Sequence, residues 1–466
     1  MGLMRSAPPR QAPVRLLCCQ KGAEYPAPVS GSSLAARTRA PVLIYVFCAV
    51  VYVAVLGLRA RGPSDNTHFV SLAQSYLHGQ LSVVGDRPPG NNDWAQYQGR
   101  WYVVFPPLPA LMVLPAVAIW HEAVWDRLYW ALFAGLGPAL LYVLLRSLRE
   151  REGSGRTAAE DLALTALFAF GSAYFYTAVQ GTVWFAAHVV ACPLIALYVL
   201  WSVQARRPLA AGLMLGLAVA TRPSTMYLAP IFLIEALSAA RPDTAPISRE
   251  IDNIYARIGN FLRGVSWPRA LRSCVLFGLP FAAVVAVTLL LNYLRFGDPF
   301  EVGYKYLRIR WSGRIEKWGL FNYHYLAKNL AVYLAALPWL TSAYPFVRIS
   351  RHGLALWFTT PNYLWVLWPK RVRALLVALA IGAGCTAIAD LCYQNSGWIQ
   401  FAYRFSLDYS VALIALLALG GRRFGPGFYA MLAFACLVNL FGAITFDRMP
   451  DFYDRDLSQQ VIFQPD

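Results

Sequence analysis

A bundle of membrane-crossing α-helices is the fold this sequence predicts, and three observations predict it. Hydrophobic residues make up 58% of the 466 positions and charged residues only 14%, too apolar for an ordinary water-soluble domain. The apolar residues come in blocks of about 16–22, the length that carries a helix through a bilayer core, without the two-residue alternation of strands. Short joints separate the blocks, among them "RSLREREGSGR", "QARRP", "PKRVR" and "GGRRF". The class is therefore all-α, polytopic and transmembrane.

The joints also orient the chain. Lys and Arg concentrate in cytoplasmic loops, so these joints lie inside, and they account for much of the net charge of +17 without nucleic acid as a partner. Residues 1–40 are rich in Arg, Pro, Ala and Ser, with no apolar run; they read as a disordered basic cytoplasmic arm. Residues 41–446 form the transmembrane domain and 447–466 an acidic external tail. Most of the cysteines lie in or beside apolar blocks, where Cys is a small hydrophobe rather than half of a disulfide framework.

With the arm inside, Pro41–Leu58 crosses outward and the first external loop runs over about 61–105. "FPPLPALMVLPAVAIW" carries four prolines and is short, so it reads as re-entrant or interfacial, and Arg127–Leu145 returns. Leu162–Ala178 goes out and Thr182–Val203 comes back. Leu209–Thr221 and Thr225–Ala240 are short passes with "TRPS" at their outer turn. Arg241–Arg272 is a cytoplasmic joint, and Val275–Tyr293 crosses to a second external loop over about 294–328. Asn329–Phe346 is expected to return, and "LALWFTTPNYLWVLWP", between two basic clusters, to insert partially. Ala374–Tyr393 crosses out to a third external loop, about 394–404. Phe405–Leu419 returns and Phe428–Ile444 crosses out again. That makes about eleven crossings plus the re-entrant or interfacial segments.

Two external stretches invite a reason beyond topology. The second loop, "RFGDPFEVGYKYLRIRWSGRIEKWGLFNYHYLAK", is basic and aromatic on the side where cations are disfavoured. An anionic headgroup or pyrophosphate would explain it, and so would general attraction to an anionic surface. In the first loop, "RGPSDNTHFVSLAQSYLHG" places Phe69, Leu72, Ala73, Tyr76 and Leu77 on one helical face and polar residues on the other. That spacing predicts an amphipathic helix in the membrane plane, ended by Gly79. Asp65 then has two readings. Ser64 or Asp65 is the N-cap of that helix, or Asp65 extends the buried stripe as a working carboxylate with His68 beside it.

Five ordered stretches carry a resemblance: "PSDNTHFVSLAQSYLHGQL", "YQGRWYVVFPPLPALMVLP", "ATRPSTMYLAP", "NYLRFGDPFEVGY" and "GWIQFAYRFSLD". Together, over about residues 40–445, they resemble bacterial membrane proteins of the GT-C glycosyltransferase superfamily, similar to the family 39 mannosyltransferases. The resemblance implies a GT-C-like fold and an enzyme that moves a sugar from a polyprenyl-phosphate donor to a lipid, glycan or protein acceptor outside the membrane. By position it makes Asp65 the catalytic base and sets Arg404 near the donor phosphate. Where many relatives have two adjacent acids, this chain has Asp65 followed by Asn66, which leaves any second-carboxylate role without a residue.

The chemistry agrees with that assignment. One carboxylate suffices to take a proton from an acceptor hydroxyl, the leaving phosphate needs cations, which arginine supplies, and direct displacement inverts the anomeric centre. Arg222 in "TRPS" is a second candidate for the phosphate, against the reading of a turn arginine with its head in water. Arg404 has the alternative of a snorkelling anchor. His68, Asp93, Tyr97, Tyr304, Lys305 and His324 are candidates for donor or acceptor contact, set against solvated loop acids and interfacial aromatics. His188 reads as a packing histidine. No metal-ligand spacing occurs, so no cofactor is required, and a divalent cation is compatible with the sequence without being demanded by it. The rival reading is a transporter or flippase of an anionic or polyprenyl-linked lipid, or an inactive relative that binds lipid-linked sugar. The absence of an internal repeat and the clustering of ionisable residues at one face favour the enzyme. Polyprenyl-phosphate chemistry on the outer side places the chain in a bacterial cytoplasmic membrane.

Overall fold

The computed structural model describes residues 34–85, 93–242, 254–307, 309 and 311–453. The expected arm up to residue 33, Asp86, and the tail beyond Tyr453 lie outside the described residues. By contacts the chain divides into Met1–Ala40, of which only the start of the first helix is described, and Pro41–Asp466.

In chain order the helices are α1 (Leu34–Leu56), α2 (His68–Leu77), α3 (Leu108–Trp120), α4 (Asp126–Ala134), α5 (Leu136–Arg151), α6 (Ala158–Phe170), α7 (Tyr174–Ala178), α8 (Val183–Ser202) and α9 (Pro208–Val219). They continue as α10 (Pro230–Ala239), α11 (Ile254–Arg263), α12 (Trp267–Phe296), α13 (Ser312–Trp318), α14 (Leu326–Ala335), α15 (Leu356–Thr359), α16 (Ala374–Leu391), α17 (Leu407–Leu419) and α18 (Pro426–Thr445). Two short antiparallel pairs, β1 (Trp94–Tyr97) with β2 (Arg100–Val103) and β3 (Trp339–Leu340) with β4 (Val347–Arg348), lie between helices. Among the described residues six segments are long and apolar enough to cross a membrane: Thr38–Ala60, Asp126–Arg151, Val183–Ala205, Trp267–Phe296, Ala374–Leu391 and Pro426–Thr445. Leu108–Ala123 and Pro208–Val219 are shorter apolar helices. This is an all-α, multi-pass membrane protein.

Burial sorts the helices. α8 and α17 are apolar on nearly every side and buried along almost their whole length, as befits helices at the centre of a bundle. α12 is as apolar but leaves Val275, Leu279, Val287 and Leu290 exposed, a surface suited to lipid. It packs against α9 across Gly212, where a β-carbon would sit 1.9 Å from the Phe277 carbonyl oxygen. Only a residue without a side chain lets the two backbones approach so closely.

The Arg-rich joints bind one end of the bundle. Arg156 donates from Nε to the Ala418 carbonyl at 3.1 Å and from Nη2 to that of Leu417 at 2.7 Å, in the last turn of α17. The free carbonyls of a helix C-terminus attract a cation in this way. Arg149 pairs with buried Asp161 at 2.8 Å, and Thr157 with Glu160 forms a complete capping box at the start of α6.

Three segments differ from the sequence expectation. The "DWAQYQGRWY" stretch, expected as loop, is the β1–β2 hairpin. Gln98 and Gly99 at its tip have φ of 49° and 76°, the left-handed pair a two-residue turn requires. Residues 329–346 do not return as one helix: α14 stops at Ala335 and β3–β4 follows. Instead "LALWFTTPNYLWVLWP", expected to insert partially, runs the length of α17. Leu354 pairs with Ala402 before that helix, and the Lys370 amide donates to the Gly420 carbonyl just after it. Pro361 and Pro369 keep this pass from regular α-helix, so it consists of α15 and a 3₁₀ segment, Pro361–Leu367. Side-chain amides serve the backbone that irregularity frees. Asn439 donates to the Thr359 carbonyl at 2.8 Å, and Asn362 donates to that of Phe428 at 2.9 Å.

Candidate active site

The N-terminal end of α8 assembles the site. Trp184, Phe185 and His188 fall on one face of α8, Gly181 stands just ahead of its N-cap Thr182, and each of the four meets a different element. Gly181 touches Arg127, Trp184 reaches Asp93, Phe185 lies under Arg404, and His188 reaches Asp408.

Gly181 has φ +72°, and a β-carbon there would sit 2.4 Å from the α-carbon of Arg127. Arg127 is the second residue of α4, and Asp126, which opens it, fixes the loop after α1. The Ser64 amide donates to Asp126 Oδ1 at 2.7 Å and the Ser64 hydroxyl to Oδ2 at 2.6 Å. Held this way, Ser64 turns inward and Asp65 outward. The Asp65 side chain is 90% exposed and meets Arg127 Nη2 at 3.3 Å. Neither reading of Asp65 holds as expected: Thr67, not Ser64 or Asp65, occupies the N-cap of α2, and Asp65, exposed, does not extend the buried stripe as a working carboxylate. α2 itself buries Ser71 and Ser75 with its apolar residues and packs on α3, so it is a core helix rather than one lying half in water.

His68 does not face water. It is buried and stacked on Trp94 at 4.0 Å, with Phe105 edge-on at 5.4 Å. Trp94 opens β1, which brings Asp93 to Trp184: the indole Nε1 donates to Asp93 Oδ2 at 2.8 Å. Burial pushes the Asp93 carboxyl above the usual carboxylate range, while the Trp184 hydrogen bond and the Arg404 charge draw it partly back.

Arg404 lies 5.1 Å over the Phe185 ring and 5.4 Å from that of Phe405. Its Nη1 donates to the Ile399 carbonyl at 2.9 Å and to that of Gly397. It is buried, and among the described residues no carboxylate lies within ion-pair distance of it. Burial, with the neighbouring Arg222 charge adding to it, lowers its pKa to about 10. It is therefore not a snorkelling anchor with its head in water.

Arg222 also lies near Phe405, 5.0 Å from the ring, and its head is engaged by protein rather than left in water. It grips Asp408, with Nη2 to Oδ2 at 2.7 Å and Nε to both oxygens at 3.1 Å. Ser224 donates to the same carboxylate at 2.6 Å and His188 Nδ1 meets Oδ1 at 3.0 Å, so His188 is more than packing. Asp390 is buried close by. Sequence reasoning missed Asp408 as a site residue, although it ends the "GWIQFAYRFSLD" stretch. An acid at the head of an apolar run is itself a signal, because a carboxylate there needs a partner.

The other candidates separate. Tyr304 is half-buried beside Tyr393 and within reach of the Asp93 and Arg222 charges, so it joins this cluster. Tyr97 lies tilted against Tyr306 at 4.6 Å and edge-on to Phe296 at 5.7 Å, where it packs the β1–β2 hairpin against the end of α12. Lys305 is exposed and paired with Glu301 at 2.5 Å. His324 is exposed and tilted against Trp318 at 4.3 Å. Two cations from the basic second loop are instead buried: Arg314 donates to the Gln394 side chain at 3.1 Å and Lys328 to its backbone carbonyl at 3.2 Å. Among the described residues no three His, Cys, Asp or Glu side chains converge to hold a metal ion.

No family model matches the chain, and no curated protein matches it. Among solved structures it is similar to ArnT from Cupriavidus metallidurans bound to undecaprenyl phosphate, at 13% identity and a TM-score of 0.48 over 85% of this chain and 62% of that one. The apo state of the same protein gives a TM-score of 0.46. The Archaeoglobus fulgidus oligosaccharyltransferase in the apo form is similar at 13% identity and a TM-score of 0.40, over 91% of this chain and 58% of that one. The chain thus spans about three fifths of the length of the solved proteins it matches.

Proposed function

We propose that this chain is a GT-C-like membrane glycosyltransferase that moves a sugar from a polyprenyl-phosphate donor to a hydroxyl of a lipid, glycan or protein acceptor. The observation that carries the reading is Arg404, a buried guanidinium without a carboxylate partner among the described residues. A buried cation is stable when paired, and a phosphate that gains charge as its sugar leaves is a partner it would stabilise most in the transition state. Arg222 contributes field rather than its whole charge, since Asp408 already neutralises much of it.

On this reading Asp65 takes the proton from the acceptor hydroxyl. The acceptor oxygen bonds to the anomeric carbon as the carbon–oxygen bond to phosphate breaks, and the released phosphate carries the electron pair towards Arg404. Attack opposite the leaving group inverts the anomeric centre. An exposed carboxylate suits a base that must meet an acceptor arriving from outside, and its loose contact with Arg127 leaves it free to do so. Tyr304 and Asp93 line the donor side, with Trp184 orienting Asp93. The protein then sits in a bacterial cytoplasmic membrane with its N-terminus cytoplasmic and this site external.

The experiment incubates purified protein with membrane lipid extract and radiolabelled polyprenyl-phosphate sugars, following donor consumption and new glycosylated product. Turnover by the wild type and its loss in Arg404→Gln support the reading. Binding of the donors without turnover on any of them would replace it with lipid-linked-sugar transport or binding.

A further inference from the structure

A second group of cations lies where α1, α4 and α18 end, on the Arg127 side of the N-terminal end of α8. Arg59 follows α1 in the Gly57–Ala60 turn, which packs against α4. Arg127 is the second residue of α4, and Arg448 stands three residues beyond α18. Each is anchored through part of its guanidinium. Arg59 Nη2 meets Asp447 Oδ2 at 2.5 Å, Arg448 Nη1 donates to the Val55 carbonyl at 2.7 Å, and Arg127 Nη2 meets Asp65.

What remains is unsatisfied. Arg59 Nη1, Arg127 Nε, and Arg448 Nε and Nη2 are withdrawn from solvent and have no acceptor among the described residues. The three guanidiniums share this region with Asp65 and Asp447, both exposed, and with Asp126, whose oxygens already accept from Ser64 and from the Arg127 amide. Burial and then the nearby Arg59 charge lower the Arg448 pKa, as expected when like charges are held together. Buried donors without acceptors are costly, and guanidinium donors carried on neighbouring elements suit the oxygens of a phosphate.

The surroundings identify the kind of molecule that carries the phosphate. Leu58 and Met449, the neighbours of Arg59 and Arg448, are exposed, and below them α1 presents Val42, Leu43, Val46 and Val50 outward. Apolar surface leading up to a cationic rim is the outline of a lipid with an anionic head. We propose that Arg59, Arg127 and Arg448 bind the phosphate of an anionic lipid, and that this lipid is the acceptor whose hydroxyl meets Asp65. The second clause rests on the glycosyltransferase reading; the first does not.

The test measures lipid retention by native mass spectrometry on the full chain, delipidated in detergent and titrated with phosphatidylglycerol or phosphatidylcholine. Glycerol 1-phosphate serves as the soluble phosphate. The wild type should prefer phosphatidylglycerol. Arg448→Gln should weaken that binding about tenfold, as expected for loss of charge-assisted hydrogen bonds, and Arg59→Gln/Arg448→Gln further. Arg404→Gln, at the donor side, should leave it unchanged. Arg448→Lys keeps the charge without the planar fork and should fall between, which guards against a glutamine variant that fails to fold. Equal retention of both lipids by the wild type, or full retention by the double variant, overturns the site. Competition by glycerol 1-phosphate at the concentration at which phosphatidylglycerol binds overturns the lipid and leaves a free phosphate. Selective binding combined with absent sugar transfer overturns the acceptor role and leaves the anion site standing.

Discussion

Arg222 and Asp408 lie 186 residues apart in sequence and meet as a bidentate ion pair between the C-terminal end of α9 and the N-terminal end of α17. Ser224 and His188 complete the coordination of that carboxylate. The arrangement ties the α8, α9 and α17 ends into one unit. A charge in that position is tolerable only because every partner is in place.

Removing one partner should therefore cost much more than removing both. Arg222→Ala leaves Asp408 buried without its cation and should destabilise the protein by about 3–5 kcal/mol, while Arg222→Met/Asp408→Leu should recover most of that loss. Thermal unfolding in detergent compares the two. An Arg222→Ala protein as stable as the wild type would mean that the ion pair is not what holds these helix ends.

Asp65→Asn should separate chemistry from structure. The side chain is 90% exposed and caps no helix, so melting should not change measurably. If Asp65 is the base, turnover should fall by about 100-fold or more, the usual contribution of a general base. Unchanged turnover would move the base elsewhere.

Asp93 should make stability fall with rising pH. Its carboxyl is pushed up by burial, so the folded protein binds that proton more tightly than the unfolded chain does. Such a group stabilises the fold fully below the unfolded value of about 4, and that stability is lost as pH rises through the folded value. Asp93→Asn does not titrate, so its melting temperature should gain on the wild type as pH rises from about 4 to about 7. A gap that stays constant across this range would show that the group titrates alike in both states.

Gly181→Ala should disturb both cationic clusters at once. The new β-carbon meets Arg127 backbone at 2.4 Å in a left-handed conformation, so α4 must shift. Overpacking of this kind costs about 1–3 kcal/mol. Because Arg127 moves with α4, phosphatidylglycerol retention should drop together with the melting temperature. A drop in stability with full lipid retention would exclude Arg127 from the anion site.

Much of the fold was legible because bilayer crossing imposes a length and a composition. The expected passes at Thr182–Val203, Ala374–Tyr393 and Phe428–Ile444 coincide with α8, α16 and α18 to within a few residues. The pass over residues 354–370 escaped because its prolines and aromatics erase the helical signature, while the amides that make it tolerable, Asn362 and Asn439, lie far apart in sequence. At the site, Asp65, Arg222 and Arg404 stood out as charges at the ends of apolar runs. Asp408 carries the same signal at the head of the α17 run but was passed over, and Arg448 did not stand out, because its importance comes from partners brought together by folding. For His68 the sequence left exposure open, and stacking on Trp94 decided it.

The strip along α8 has one more consequence. Trp184, Phe185 and His188 each serve a different neighbour from one side of one helix. Substitutions there act singly, but inserting or deleting one residue between them turns the downstream part by about 100° relative to the upstream part. His188 would then point away from Asp408 even though every side chain were still present. This segment can vary in letters and not in length, so among homologues a gap falling between positions 184 and 188 would mark a protein that has lost the site.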